Sequence, residues 1–204
     1  MKSILFIRES DYQFYCANQL YKKNVISHVI IEEGESLRLK RKINLKGIIE
    51  FIKCIFKPKI LFYKIIFSLF FKKYFGNTEY HNQRVLGSRK VKIIPELIIK
   101  KFKNINDIEC LNYTNSLQPK NIYVFGIAMI KKDILRNFNC PIVNLHWGIA
   151  PFYRGEGIVS SLANKDFDKL GVTIHKVIIK SDAGDIYQQK IINIDKEDNF
   201  YSIS

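Results

Sequence analysis

Two short apolar runs, separated by the length of one amphipathic helix, constrain this chain more than any other feature. Residues 4–7 (Ile-Leu-Phe-Ile) are apolar at every position, as a strand buried on both faces must be. Arg8-Glu9-Ser10-Asp11 ends the run. Ser10 or Asp11 can cap a helix whose apolar positions Tyr12, Tyr15, Cys16 and Leu20 recur at helical spacing. Asn24 marks its end, and residues 26–31 form a second run of strand type. A strand, helix and strand in such close succession predict an α/β, Rossmann-like architecture, a mostly parallel twisted sheet with helices on both faces.

The middle of the chain breaks this rhythm. Residues 49–56 and 60–74, parted by Pro58, are apolar stretches interrupted by Lys53, Lys57, Lys59, Lys64, Lys72 and Lys73. The longest uncharged piece there is residues 65–71, far short of the ~20 apolar residues that a membrane-spanning helix needs. Two readings fit: a basic amphipathic pair lying on a membrane or partner surface, or a helical insertion packed on the sheet with its lysines in water. The second is the expectation, for about residues 37–102. The α/β rhythm then resumes, with strands expected at residues 108–113, 121–126, 141–146, 171–177 and 186–194, and a helix at 131–138. No linker or repeat divides the chain, so its 204 residues are read as one domain.

With 47% hydrophobic residues the chain can build a sizeable core, which excludes disorder and collagen-like repeats. A formal charge of +14 favours anionic partners such as nucleotides, nucleic acid or acidic lipid headgroups, without choosing among them. Cys16, Cys54, Cys110 and Cys140 form no C-x-x-C pair, so neither a zinc site nor a redox dithiol is expected, and reduced thiols in a cytoplasmic protein are the simplest account. The apolar run after Met1 is too short for a signal peptide.

The chemistry begins at Ile142. In an open parallel sheet ligands bind beyond the carboxyl ends of strands, and the run 142–146 ends in Asn144-Leu145-His146. Strand alternation puts Asn144 and His146 on one face. Gly148 and Pro151 then force a loop that leads into Tyr153-Arg154-Gly155. Downstream, Gly171-Val172-Thr173-Ile174-His175 precedes Ser181-Asp182-Ala183-Gly184-Asp185, a carboxylate held in a turn. These are groups that acyl-type transfer requires. An Asn amide can donate to a carbonyl oxygen as it becomes an oxyanion. A histidine can take a proton from an attacking amine or steady the charge that develops. A nearby carboxylate can orient that imidazole and order a water. No serine or cysteine is placed to serve as nucleophile, which favours direct attack by an acceptor amine. Taken alone, His175 fits a packing residue under the sheet as well as a site residue, and His28 and His81 read as packing or surface residues.

The stretch from Asn144 to Gly155, Asn-Leu-His-Trp-Gly-Ile-Ala-Pro-Phe-Tyr-Arg-Gly, resembles the signature of the folate-dependent formyltransferases, and residues 171–175 and 182–186 resemble that family's second block. The resemblance covers about residues 121–193 and is poor across the middle. It implies N10-formyltetrahydrofolate as formyl donor, an amine as acceptor, and no metal. By position it implies catalytic roles for Asn144, His146 and Asp182. It implies a folate pocket built from Ile127, Ala128, Met129 and Ile130 on one side, and Ile178, Ile179, Lys180, Ser181 and Asp182 on the other. Arg8, Tyr153, Arg154 and Gly155 are the acceptor-binding candidates.

Among acceptors, glycinamide ribonucleotide is disfavoured because residues 8–11 contain no glycine-rich phosphate loop. Methionyl-tRNA formyltransferases resemble the catalytic block, Arg-Gly included, but normally carry a further β-barrel domain. Sugar N-formyltransferases, which act on nucleotide-linked deoxy-amino sugars for surface polysaccharide, fit best. The expected partners are therefore the folate and a sugar nucleotide rather than nucleic acid, and a homodimer is compatible with the resemblance. Two features depart from the family: Trp147-Gly148-Ile149-Ala150-Pro151 replaces a Ser-Leu-Leu-Pro-like loop, and the sequence stops at residue 204 where relatives continue, as a shortened or minimal variant would. A folate-binding fold without turnover is one rival expectation. A membrane- or nucleic-acid-binding protein is another, but it does not account for the order of Asn144, His146 and Asp182.

Overall fold

A computed structural model of the chain describes residues 2–34, 82–83, 85–88, 90–155 and 157–195. Two compact units are present, Met1–Gly34 with Val91–Ser204, and Glu35–Lys90. Residues 37–81, most of the expected helical insertion, lie outside the described residues, as do Cys54 and His81. In the smaller unit the Gln83 side chain donates to the Gly87 carbonyl at 3.2 Å.

The larger unit runs β1 (Ser3–Ile7), α1 (Asp11–Lys22), β2 (Ile26–Glu32), β3 (Ile98–Phe102), α2 (Ile108–Ser116), β4 (Ile122–Val124), α3 (Lys132–Leu135), β5 (Ile142–His146), α4 (Gly157–Ala163), a 3₁₀ turn (Phe167–Lys169), β6 (Gly171–Lys176) and β7 (Ile186–Ile191). The strands form one sheet in the order β3-β2-β1-β4-β5-β6-β7. All pairings from β3 through β5 are parallel, and β6 and β7 add antiparallel. The chain winds outward from β1 to β3 and then restarts at β4 on the other side of β1. That reversal opens a crevice at the carboxyl ends of β1 and β4, where doubly wound sheets take their ligands.

Strand alternation divides β1 between two cores. Ile4 and Phe6 pack into a layer with Cys110 and Leu111 of α2, while Leu5 and Ile7 pack with Ala17 of α1 and Val29 of β2. Helices therefore cover both faces, as the all-apolar run of β1 requires. Each such buried Ile, Leu or Phe side chain contributes about 1.5–3 kcal/mol through removal from water. Burial also raises the thiol pKa of Cys110, to about 11, and of Cys16 and Cys140, so these thiols remain protonated. Among the described residues no helix is long and apolar enough to cross a membrane.

Three expectations are corrected. Residues 108–113 form the start of a helix, because Cys110, Leu111 and Thr114 turn one face inward at helical spacing. Residues 98–102 form β3 instead of closing the helical insertion. This edge strand is mostly exposed, with lysines at 100 and 101, and so lacks the apolar signature of a buried strand. On α1 the inward residues include Gln13 and Ala17, whereas Tyr15 is exposed. Ser10 does cap α1, its hydroxyl accepting from the Gln13 amide at 3.3 Å. Asn24 adopts φ 58° in the turn that follows, a conformation asparagine tolerates well.

Candidate active site

β5 delivers Asn144 and His146 to the carboxyl edge of the sheet. Between them, Leu145 packs into the core layer beneath α1. His146 is 5% exposed. Its Nε2 lies 2.8 Å from the Tyr153 carbonyl, an acceptor, so Nε2 carries a proton and Nδ1 faces Asp182 Oδ2 at 3.7 Å. His175, on the neighbouring strand β6 and paired in register with Asn144, is the mirror case. Its Nδ1 donates to the Lys176 carbonyl at 2.9 Å, leaving Nε2 toward Asp182 Oδ1 at 3.3 Å. The Asn144 amide nitrogen stands between, 3.2 Å from His175 Nε2 and 3.3 Å from Asp182 Oδ1.

Asp182 thus joins three side chains from two strands. Its own backbone has φ 47°, the left-handed region that non-glycine residues rarely occupy, at a cost on the order of 1 kcal/mol. Its carboxylate also accepts from the Gly155 amide at 3.1 Å and the Ser181 hydroxyl at 3.3 Å. The two loops after β5 and β6 are therefore tied through one carboxylate.

The loop after β5 is fastened from below. Thr173 Oγ1 donates to the Gly148 carbonyl at 2.6 Å and accepts from Ala150 N at 3.1 Å, while Gln189 of β7 bonds both Thr173 Oγ1 and the Ala150 carbonyl. The Ala150–Pro151 peptide is cis. Gly148 has no room for a side chain: a Cβ there would run into the Tyr153 carbonyl and come within 2.8 Å of His146 Nε2. Only glycine lets that carbonyl reach the imidazole.

A cavity of about 690 Å³ opens over Asn144, His146 and Asp182. One wall is apolar, made of residues 127–130 and 177–179, and Ile127, Ile130 and Val177 rest on the core layer of α2. The opposite wall carries Ser10, Tyr12 and Gln13 at the start of α1, with Phe125 and Trp147. Of the residues expected to bind folate, all but Lys180 line this cavity. Of the acceptor candidates only Gly155 does. The Tyr153 phenol turns away to donate to Asp166 Oδ2 at 2.8 Å, and Arg154 is exposed. Arg8 donates to Glu32 Oε2 at 2.9 Å.

Sequence reasoning passed over Glu32, which is almost fully buried at the end of β2 and also accepts from the Ala128 amide at 2.9 Å, tying the apolar wall to β1 and β2. A charged residue closing a buried strand was the available signal. It also passed over Thr173, Gln189 and Asp166, whose partners are distant in sequence, and left His175 undecided.

A family model described as formyl transferase matches residues 100–204, just over half of the chain. Methionyl-tRNA formyltransferase from Finegoldia magna is 39% identical over 97 residues, 47% of this chain and 31% of that protein. The chain spans less than half the length of the curated relatives first matched. Among solved structures, phosphoribosylglycinamide formyltransferase from Bacillus halodurans superposes with a TM-score of 0.56 at 16% identity, covering 97% of this chain and 83% of that one. A sugar N-formyltransferase from a Shewanella species gives 0.52 at 14% identity, covering 95% and 58%. These two share the fold, and the matched region contains β4 to β7, with both loops that meet at Asp182. On that match, the chain belongs to the formyl transferase family.

Proposed function

We propose that this domain transfers a formyl group from N10-formyltetrahydrofolate to the amino group of a nucleotide-linked deoxy-amino sugar. The observation that carries the reading is the convergence of Asn144, His146 and Asp182 at one end of a cavity large enough for a folate headgroup. The donor fits the apolar wall. Met129, Ile178 and Ile179 are 71%, 40% and 54% exposed there, an apolar surface that a flat heterocycle would cover. Ile127, Ala128, Met129 and Ile130 would hold one side of it, and Ile178, Ile179, Lys180, Ser181 and Asp182 the other.

When bound, the donor supplies the formyl carbon, whose bond to N10 breaks as a bond to the acceptor nitrogen forms. Asn144 Nδ2 and the cavity-facing Nδ1 of His146, when protonated, donate to the formyl oxygen as it gains charge. The Tyr153 carbonyl holds His146 in the orientation this needs. Asp182, through an ordered water, takes the proton that the acceptor amine sheds and returns it to N10 as that nitrogen departs. The Gly155 amide holds that carboxylate in place, and His175 Nε2 accepts from the Asn144 amide that also donates to it. The exposed Arg154, next to cavity-lining Gly155 in the chain, would supply positive charge for the acceptor's diphosphate, whereas Arg8 is already paired with Glu32.

The sequence identity to a methionyl-tRNA formyltransferase favours a second reading, with an aminoacyl-tRNA as acceptor. Release of tetrahydrofolate, followed spectrophotometrically with a panel of dTDP- and UDP-linked amino sugars and with initiator methionyl-tRNA, separates the two. Turnover with one sugar nucleotide, lost in His146→Ala and Asp182→Ala, supports the leading reading. Turnover with tRNA alone replaces it with the second, and folate binding without turnover under any acceptor identifies a binding fold.

A further inference from the structure

Trp147 directly follows His146, one residue past the end of β5. Its ring centroid lies 5.6 Å from that of Phe125 at an interplanar angle of 57°. Phe125 is itself buried in the core layer beneath α1. The indole is thus backed by a fixed aromatic neighbour while remaining 36% exposed at the cavity it lines. A large apolar side chain, held from behind and open in front, stores contact area that a ligand can cover.

The position of this surface selects what covers it. Residues 127–130 and 177–179, proposed above for the folate, belong to the wall resting on the α2 core layer. Trp147 and Phe125 belong to the opposite wall, with Ser10 and Gln13 of α1. Asn144, His146 and Asp182 lie between the walls. A molecule resting on the indole therefore occupies the wall opposite the one proposed for the donor, leaving both able to meet at the same cavity.

We propose that Trp147, supported by Phe125, is a stacking subsite for the pyranose ring that bears the acceptor amine. This inference rests on the sugar-nucleotide reading of the acceptor. One face of a pyranose presents C–H bonds, which pack on an indole, while its hydroxyls point to the rim. Because Trp147 and His146 line the same cavity, a ring seated on the indole has its amino substituent within that cavity, toward the reacting residues. The Ser10 hydroxyl and the Gln13 amide, which bond each other at 3.0 Å, supply polar groups on the same wall.

Trp147 is the sole tryptophan of the chain, so its emission reports directly on this surface. The wild-type protein is titrated with dTDP-glucose and UDP-glucose, with dTDP and UDP alone, and with 5-formyltetrahydrofolate, while calorimetry measures binding in parallel. The expected result is a saturable shift of the emission to shorter wavelength with a nucleotide sugar and none with the corresponding nucleotide. Trp147→Ala weakens nucleotide-sugar binding by about tenfold, Trp147→Phe retains most of it, and neither alters folate binding. Nucleotide-sugar binding that leaves the emission unmoved, or that is equally tight in Trp147→Ala, overturns the subsite. Loss of all nucleotide-sugar binding in the wild type, with folate binding intact, overturns the acceptor class and the subsite with it. Failure to bind 5-formyltetrahydrofolate counts against the formyl-transfer reading itself. The emission measurement needs no variant and stands even where one misfolds.

Discussion

His175 Nε2 lies 3.3 Å from Asp182 Oδ1, and the opposite nitrogen of that imidazole is committed to the Lys176 carbonyl. The ring is 2% exposed, so it cannot turn away from the carboxylate without unpacking β6. His175 therefore fixes where Asp182 and the Asn144 amide sit in the cavity that all three line. In His175→Phe the imidazole contacts to both groups are lost. The expected outcome is a fall in kcat of about tenfold to a hundredfold, ~1.4–3 kcal/mol, with KM for the donor changed much less. Steady-state kinetics of tetrahydrofolate release checks this, and an unchanged kcat would remove His175 from the site's machinery.

Gly148 gives a sharper steric test. A methyl group there meets the Tyr153 carbonyl, Gly157 Cα and His146 Nε2 together, and two of these are backbone. Nothing at the end of a flexible side chain can move aside. Gly148→Ala is expected to destabilise the protein by about 1–3 kcal/mol and to displace the carbonyl that orients His146. Thermal unfolding would record the first effect. Long-range proton–nitrogen NMR of the His146 ring would record the second as a change in tautomer.

Much of this arrangement was legible beforehand, where local pattern and tertiary role coincide. The all-apolar run of β1, the cap at Ser10 and the Asn144-x-His146 strand end each carry their signal in a few consecutive residues. Other parts were hidden because their causes are not local. Residues 108–113 are apolar enough for a strand, and only the inward turn of Cys110, Leu111 and Thr114 makes them a helix. β3 forms because β2 offers it an edge, with Ile30 opposite Lys100. Glu32 is acidic in a strand that is otherwise apolar toward its end, and its partners Arg8 and Ala128 lie 24 and 96 residues away.

Asp166 offers a pH measurement. The Tyr153 phenol donating to it, with Lys169 beside it, holds its carboxyl below the ordinary carboxylate range. A carboxylate whose folded pKa is depressed adds stability above the unfolded value of about 3.9. That contribution is lost as pH falls through the folded pKa. In Tyr153→Phe the largest cause disappears, so the Asp166 carboxyl carbon should titrate at higher pH by NMR. The acid limb of the protein's stability curve should move upward with it. A midpoint for Asp166 that stays where it was would assign the depression to Lys169 instead.

Glu32 links the far wall of the cavity to the first two strands. Its carboxylate, almost wholly buried, accepts at one oxygen, Oε2, from both Arg8 and the Ala128 backbone. In Glu32→Gln the shape persists, but the charge opposing Arg8 is gone, and an amide oxygen must serve where a carboxylate did. The loss of one charge-assisted bond to a buried group costs about 1.5–3 kcal/mol of stability. Because Ala128 belongs to the wall proposed for the folate, the same change should raise KM for N10-formyltetrahydrofolate about tenfold, ~1.4 kcal/mol, while leaving kcat near wild type. Chemical denaturation reads the first effect and donor-dependent kinetics the second. A drop in kcat at unchanged donor KM would place the Glu32–Ala128 tie in control of the reacting residues instead of the wall.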